Sequence, residues 1–138
     1  MAYRANLGTL LRTCDAVGAC IAVPRTPHYR QALKQGNTLP GPSCIHWVHS
    51  PSGWLRHQRD QGFSIVGVEL ADGAVRLGDV GAARGPTVIV LGHEHHGIPD
   101  EVWDLISEVV EIPMVGRGSS LNVAVAGSLV LYKLAGLS

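Results

Sequence analysis

Three segments of this sequence carry most of the side chains that could perform chemistry. They are residues 6–18, 88–99 and 111–122. Asn6 and Arg12 lie in the first segment, Glu94 in the second, and Ser120 and Asn122 in the third. An arginine presents a planar fork of N–H donors, which can bind phosphate or stabilise an oxygen that gains negative charge. A simpler interpretation is also open, in which Asn6 caps a helix and Arg12 is a solvated helix residue.

The third segment has a strand–loop–helix pattern. Residues 109–112 form a short apolar run that predicts a buried strand ending at Pro113. A glycine-spaced loop follows, and Ser120 and Asn122 are both residue types that favour a helix start. Free backbone groups at such a turn could bind a small molecule through main-chain hydrogen bonds. Taken alone, the segment is more typical of an ordinary strand-to-helix turn.

Histidines are concentrated in the second segment. His93, Glu94, His95 and His96 are consecutive, but they do not follow the H-E-x-x-H spacing of a helical zinc site. A loop between a strand and Gly97 would also hold them poorly for tetrahedral ligation. We therefore predict no metal, and a hydrolase or metalloenzyme that uses His93 and Glu94 is kept as an alternative.

The elements that must position these segments alternate between strand and helix. Helical spacing predicts helices over residues 6–17, 29–35, 51–61 and 123–137, and a short helix that begins at Pro99. Apolar runs predict strands over residues 19–23, 45–48, 64–70, 87–91 and 109–112. The β-branched run 87–91 is typical of a strand buried on both faces. This alternation predicts an α/β fold with a parallel sheet flanked by helices.

The composition predicts one folded domain over residues 1–138. Hydrophobic residues make up 46% of the chain and charged residues 16%, which excludes a disordered protein. The net charge is zero, so the total does not indicate a partner rich in phosphate. Basic residues do cluster in the first quarter of the chain, where they could face phosphate groups or form a solvated surface. They are Arg4, Arg12, Arg25, Arg30 and Lys34.

The cysteines indicate the cellular compartment. Cys14, Cys20 and Cys44 are odd in number and lack C-x-x-C spacing, so we expect neither a disulfide framework nor a zinc ribbon. A reducing cytoplasm is the setting that fits such cysteines. The sequence has no signal-peptide pattern and no unbroken apolar run of about 18 residues, so we predict no contact with a membrane.

Together, the three segments resemble the ordered motifs of the TrmH/SpoU family. They contain N-x-G-x-x-x-R-x-x-D-x-x-G, then V-L-G-x-E-x-x-G-I-P, then I-P-M-x-G-x-x-x-S-L-N-V-x-V-A, and they extend from Asn6 to Ala126. The family comprises RNA ribose 2′-O-methyltransferases of the SPOUT superfamily. The resemblance implies an α/β fold with a deep C-terminal trefoil knot. It also implies S-adenosylmethionine as methyl donor, tRNA or rRNA as substrate, and a homodimer whose active sites lie at the interface.

The resemblance assigns roles to the polar residues of the motifs. Arg12 matches the arginine of the first motif. Because arginine side chains stay protonated in proteins, binding a phosphate or stabilising the developing alkoxide is favoured over acting as a general base. Asn6 is expected to orient Arg12 or the ribose. Glu94 matches the glutamate of the second motif, and we expect it to accept a hydrogen bond from Arg12 or Asn122. Ser120 and Asn122 match the S-L-N triplet at the mouth of the site.

The resemblance also implies a cofactor pocket. Its walls combine a glycine that permits close backbone approach with apolar side chains around the adenine and methionine parts. The expected cofactor-binding residues are Val68, Gly92, Ile112, Met114, Ser120 and Leu121. Methyl transfer from a sulfonium needs alignment and desolvation, and no metal.

Two departures from the family pattern bear on function. Family members carry a strand just before the first motif, and many carry a separate N-terminal RNA-binding domain. We predict that this chain lacks both, or that its true start lies upstream of Met1. The alternative function is therefore a catalytically silent module that binds RNA or the cofactor without transferring a methyl group.

Overall fold

The computed structural model describes residues 2–92, 96–118 and 121–138. The helices are α1 (Ala2–Val17), α2 (Pro27–Gly36), α3 (Pro51–Asp60), α4 (Asp100–Trp103) and α5 (Val123–Leu134). The strands are β1 (Ile21–Pro24), β2 (Ile45–Val48), β3 (Ser64–Val68), β4 (Val75–Arg76), β5 (Thr87–Leu91) and β6 (Glu108–Glu111). A 3-10 turn at Leu77–Asp79 follows β4. None of the helices in these ranges has both the length and the apolar character needed to cross a membrane.

The strands form two parallel sheets. β1 pairs with β2, and a second sheet has the order β4-β6-β3-β5. Every pairing among the described strands is parallel. Helices lie between β1 and β2, between β2 and β3 and between β5 and β6, and parallel pairing requires such crossover connections. The predicted α/β class with a parallel sheet flanked by helices is confirmed.

Local sequence explains where the helices begin. The Thr26 side chain accepts a hydrogen bond from the backbone N–H of Tyr29, and Pro27 follows as the first residue of α2. Ser50 caps α3 in the same way by accepting from the N–H of Gly53. Hydroxyl caps followed by proline satisfy free N–H groups and preset the helical φ angle. The start of α3 agrees with the prediction, α2 begins two residues before the predicted residue 29, and residues 45–48 and 87–91 are strands with the predicted bounds.

The hydrophobic core consists of three clusters. One lies between α1, α2 and β1 and includes Leu11 and Leu33. A second packs α3 and α4 against β3 around Ile65. The third joins β3, β6 and α5 through Val110 and Val130, both of which are fully buried. The third cluster fixes α5 beside the sheet, so the last helix is positioned by the core.

The packing of α1 on α2 depends on a glycine pair. A Cβ atom placed on Gly8 would lie 2.4 Å from the carbonyl oxygen of Gly36, and one placed on Gly36 would lie 2.7 Å from that of Arg4. Such distances leave no room for a side chain, and the obstructing atoms belong to backbone. Gly8 therefore allows the two helices to cross in direct backbone contact.

Several features differ from the sequence predictions. The first helix begins at Ala2 and not at residue 6, so Asn6 lies inside α1 and does not cap it. The polar link after β3 contains the short strand β4, which pairs with the end of β6. β5 lies at an edge of its sheet, and its five residues are half-buried and not enclosed on both faces. The expectation of no disulfide is wrong, because Cys20 and Cys44 are joined with Cα atoms 4.8 Å apart. The pairing of β1 with β2 places the residues just before each strand side by side, which the cysteine spacing does not reveal.

Candidate active site

Three of the predicted cofactor residues lie at the carboxyl edge of the larger sheet. Val68 ends β3 and stands beside Leu91 of β5 on one side and Val110 of β6 on the other. Gly92 follows β5 directly, and Ile112 follows β6 directly. In parallel α/β sheets, ligands bind outside the carboxyl ends of the strands. The fold therefore brings Val68, Gly92 and Ile112, which are far apart in sequence, to the edge where a ligand is expected.

A close backbone contact shapes this edge. A Cβ atom on Gly92 would lie 2.6 Å from the carbonyl carbon of Gly97, so only glycine fits there. Gly97 has a φ angle of +66°, in the left-handed region that glycine adopts readily. The indole Nε1 of Trp103 donates to the carbonyl of Ile98 at 3.0 Å. This bond holds the loop after Gly97 against α4, and the two glycines bring that loop onto the end of β5.

The chain that leaves β6 provides apolar surface. Ile112 is half-buried and packs against the cluster of β3, β6 and α5. Met114 is 38% exposed, and Leu121 is half-buried. An apolar wall beside exposed backbone suits a ligand with a flat aromatic base and a thioether-like chain. These residues contribute no cluster of carboxylates or histidines. Their apolar side chains and the neighbouring backbone groups fit S-adenosylmethionine.

Asn122 links the third motif to the first. Its side-chain oxygen caps α5 by accepting from the N–H groups of Ala124 at 2.8 Å and Val125 at 3.3 Å. Its Nδ2 donates to Oδ1 of Asn6 at 3.0 Å. Asn6 is 8% exposed and Asn122 is exposed, so this bond lies partly buried where α1 meets α5. The two motif asparagines, 116 positions apart in sequence, thus meet directly.

A second contact fixes which face of α1 meets α5. The hydroxyl oxygens of Thr13 and Ser128 lie 2.8 Å apart and share a hydrogen bond. Arg12 precedes Thr13 and occupies a different face of α1, where it is exposed. Its Nη1 donates to Oγ1 of Thr38 at 3.2 Å, in the connection between α2 and β2. Within one chain, Arg12 therefore contacts that connection, and the bond between Asn6 and Asn122 forms without it.

Two predicted catalytic residues, Glu94 and Ser120, lie outside the described residues, as do His93 and His95. The sequence reasoning missed Glu69, which follows Val68 at the same sheet edge. Its carboxylate lies near Gly97, since a Cβ on that glycine would be 3.1 Å from Glu69 Oε2. The sequence signal for Glu69 is its position directly after a buried strand, because parallel sheets bind ligands at the carboxyl ends of their strands.

The cysteines occupy two different environments. Cys14 is buried on α1, and burial raises the pKa of its thiol from 9.0 to about 11. Cys20 and Cys44 are exposed. A cavity of about 250 Å³ lies beside their disulfide and is lined by Leu11, Asp15 and neighbouring residues. None of the predicted cofactor residues lines it, so this cavity is separate from the sheet edge.

Parallel strands with a glycine contact and an apolar loop at their carboxyl edge define an α/β protein with a candidate ligand site at that edge. The SpoU rRNA Methylase family matches residues 1–132. This match covers nearly the whole chain, and the chain belongs to that family.

Relatives agree with this assignment. The chain is 32% identical to the tRNA (guanosine(18)-2′-O)-methyltransferase of Aquifex aeolicus over 131 residues, which cover 93% of this chain and 62% of that protein. It is 34% identical to the enzyme of the same name from Escherichia coli strain K12 over 130 residues, or 93% of this chain and 56% of that protein. The AdoMet-bound rRNA methyltransferase from Sinorhizobium meliloti matches with a TM-score of 0.76 at 29% identity, over 95% of this chain and 51% of that one. The chain thus spans less than two thirds of the length of these relatives.

Proposed function

We propose that this chain transfers a methyl group from S-adenosylmethionine to a ribose 2′-hydroxyl of tRNA or rRNA. The observation that carries the proposal is the bond between Asn6 and Asn122, which joins the first and third motifs beside the carboxyl edge of the sheet. The named relatives, two tRNA 2′-O-methyltransferases and an AdoMet-bound rRNA methyltransferase, support the same reaction. Such RNA is reached in the cytoplasm, which is the location we propose.

The proposed cofactor residues are Val68, Gly92, Ile112, Met114, Ser120 and Leu121. When bound, S-adenosylmethionine supplies a methyl group activated by its positive sulfonium. The side chains of Ile112 and Met114 would exclude water from the reacting centre. Backbone groups after β5 and β6 would read the adenine edge, because Gly92 brings the chain close without a side chain in the way.

Arg12 is the proposed catalytic residue, supported by Asn6, Glu94, Ser120 and Asn122. A guanidinium keeps its proton at neutral pH, so it does not remove the ribose proton. It would bind the neighbouring phosphate and stabilise the negative charge that develops on the 2′-oxygen. The exposed position of Arg12, away from the face of α1 that meets α5, leaves it accessible to RNA and to a second chain.

We propose that the active protein is a homodimer. Three large apolar residues of α5 stay exposed along one stripe: Val125 at 47%, Leu129 at 42% and Tyr132 at 39%. A stripe of this kind on a helix is typical of an interface. In the proposed dimer, Arg12 of one chain would serve the cofactor pocket of its partner.

The finer topology is also part of the proposal. β6 lies between β3 and β4, although β3 and β4 are neighbours in sequence. The connection 69–74 must therefore cross β6 at the end where the chain continues into residue 112. This crossing supports a trefoil knot in which the C-terminal segment passes beneath that connection. Such threading is rare among folds.

The role of Arg12 is tested by Arg12→Ala and Arg12→Lys, with Arg56→Ala on the exposed surface of α3 as matched control. We expect Arg12→Ala to lower methyl transfer to tRNA or rRNA by about 100- to 1,000-fold, as for removal of one oxyanion donor. Arg12→Lys keeps the charge but not the fork and should recover only part of the rate. Calorimetry should give near wild-type affinity for S-adenosylmethionine in all three variants.

The other possible outcomes test the role of Arg12 and distinguish methyl transfer from the alternative function. Unchanged transfer by Arg12→Ala would refute the role of that residue. Cofactor binding by the wild-type chain without transfer to any RNA would favour the catalytically silent module. Methylation mapping on RNA from a strain that lacks the gene would identify the modified nucleotide.

A mixing experiment tests the shared site. Gly92→Ala should lose cofactor binding, because its Cβ would meet the backbone of Gly97. Neither Arg12→Ala nor Gly92→Ala should be active alone. An equal mixture should recover about a quarter of the wild-type rate, since half of the dimers are hybrids and each hybrid has one intact site. If Arg12 serves the pocket of its own chain, the mixture stays inactive.

A further inference from the structure

Three metal-ligating side chains meet on the smaller sheet, whereas the proposed cofactor residues at strand ends lie on the larger sheet. β1 and β2 pair in the register Ile21↔Ile45 and Ala22↔His46, so Cys20 and Cys44 stand opposite each other. His46 is two residues after Cys44 and therefore projects from the same face of β2. The Sγ and ring-nitrogen atoms of these residues all lie within 4.8 Å of one another. No motif of the proposed methyltransferase site uses any of the three.

The spacing of the donor atoms approaches that of a tetrahedral metal site. Bond lengths of about 2.3 Å to sulfur and 2.0–2.1 Å to nitrogen place the donors of one zinc ion roughly 3.6–3.8 Å apart. Sγ of Cys44 and Nε2 of His46 are separated by 3.9 Å. The two sulfur atoms need to move apart, which reduction of their disulfide permits, and no donor pair is separated by more than 4.8 Å. All three residues are exposed, so an ion can reach them and water can complete the coordination.

We propose that reduction of the Cys20–Cys44 disulfide creates a three-ligand site for a thiophilic divalent cation, formed by both thiolates and the imidazole of His46. A dithiol reductant supplies two electrons and two protons, gives two thiols and is itself oxidised to a disulfide. Cation binding then displaces two protons, one from each thiol, while neutral His46 contributes its lone pair. The disulfide and the ion are alternative links between the same two strand starts.

Zn²⁺ and Co²⁺ are the probes. The fully reduced chain, freed of reductant under anaerobic conditions, should bind one Zn²⁺ per chain in competition with a chromogenic chelator. Co²⁺ should give a thiolate charge-transfer band and the visible absorption of tetrahedral coordination. The oxidised chain should bind neither ion. Cys44→Ser should lose the charge-transfer intensity of one thiolate, and His46→Gln should weaken Zn²⁺ binding. Cys14→Ala, which removes the buried third thiol, should bind as the wild type does.

Circular dichroism and thermal unfolding of each variant distinguish loss of a ligand from loss of the fold. A reduced, folded chain that binds no Zn²⁺ would overturn the proposal. Equal affinity in His46→Gln would also overturn it, because binding would then need only the two thiolates. A cobalt spectrum that changes in Cys14→Ala would show that the Cys14 sulfur binds the ion, and this result would contradict the proposal. The measurement needs no RNA or S-adenosylmethionine, so its result is independent of methyl transfer.

Discussion

The bond between Asn6 and Asn122 should make a measurable contribution to stability. Asn122 performs two tasks, because its oxygen caps α5 and its nitrogen bonds to Asn6. Asn122→Ser keeps a capping hydroxyl but does not reach Asn6, whereas Asn122→Ala removes both contacts. The bond to Asn6 is worth about 1 kcal/mol by comparison with other intramolecular hydrogen bonds, and the cap about 1 kcal/mol. We therefore expect losses of about 1 kcal/mol for serine and about 2 kcal/mol for alanine.

Urea unfolding, followed by circular dichroism, measures these losses as changes in the free energy of unfolding. The slope with urea should stay constant, since neither substitution changes the surface exposed on unfolding. A double-mutant cycle of Asn6→Ala with Asn122→Ser isolates the bond, because effects on helix propensity cancel in the cycle. We expect a coupling of about 1 kcal/mol, above the roughly 0.3–0.5 kcal/mol found for independent sites.

Ser50→Ala is the matched control for capping. Ser50 caps α3 by accepting from the N–H of Gly53 at 3.3 Å, a bond made within the first turn of α3. Its loss should cost about 1 kcal/mol and should add to Asn6→Ala without coupling. A coupling near zero between Asn6 and Asn122, or Asn122→Ser as stable as the wild type, would refute the inference that this bond joins the two motifs in solution.

Two further predictions concern packing and pH. Gly8→Ala should destabilise the chain by about 1–3 kcal/mol in urea unfolding, because its Cβ would lie 2.4 Å from a backbone oxygen of α2. Gly78→Ala, with nothing within 4 Å of its Cβ, should stay within about 0.5 kcal/mol of the wild type. The pKa of the Cys14 thiol is raised from 9.0 to about 11, so the folded chain keeps this proton at pH values where the unfolded chain has lost it. The free energy of unfolding should therefore fall between pH 9 and pH 11. Cys14→Ala should remove that part of the decline, and an unchanged pH profile would contradict the assignment.

Local patterns in the sequence predicted the elements that are set by short-range chemistry. The Ser50-Pro51 start of α3 and the β-branched strand at 87–91 agree with the structure because capping and side-chain shape act over a few residues. β4 was missed because two residues are too few to show a period, and its pairing with β6 supplies its order. The edge position of β5 follows from the strand order, which periodicity does not encode.

The residues of the candidate site could be predicted from the order of the motifs and from residue type. The contacts between them depend on the fold. Asn6 and Asn122 could be named from their motifs, but their bond depends on the return of α5 to α1. Cys20 and Cys44 were assigned to no pair because only the register of β1 with β2 brings them together. The catalytic and cofactor roles, and the extent of the domain, stay predictions.

In the proposed dimer, the two sides of α1 would divide the reaction between two chains. One face of α1 contacts α5 through Asn6 and Thr13. These contacts hold the start of α5 beside the sheet edge that is proposed to bind the cofactor. Arg12 lies on another face, so the same bonds that build the pocket hold that guanidinium away from the α5 contact. Side chains of a helix turn by about 100° per residue, so Arg12 and Thr13 point in different directions. If a second copy supplies the Arg12 that acts on the ribose, the exposed apolar stripe of α5 gives that copy a surface on which to bind. Dimerisation would then assemble the active site as well as stabilise the chain.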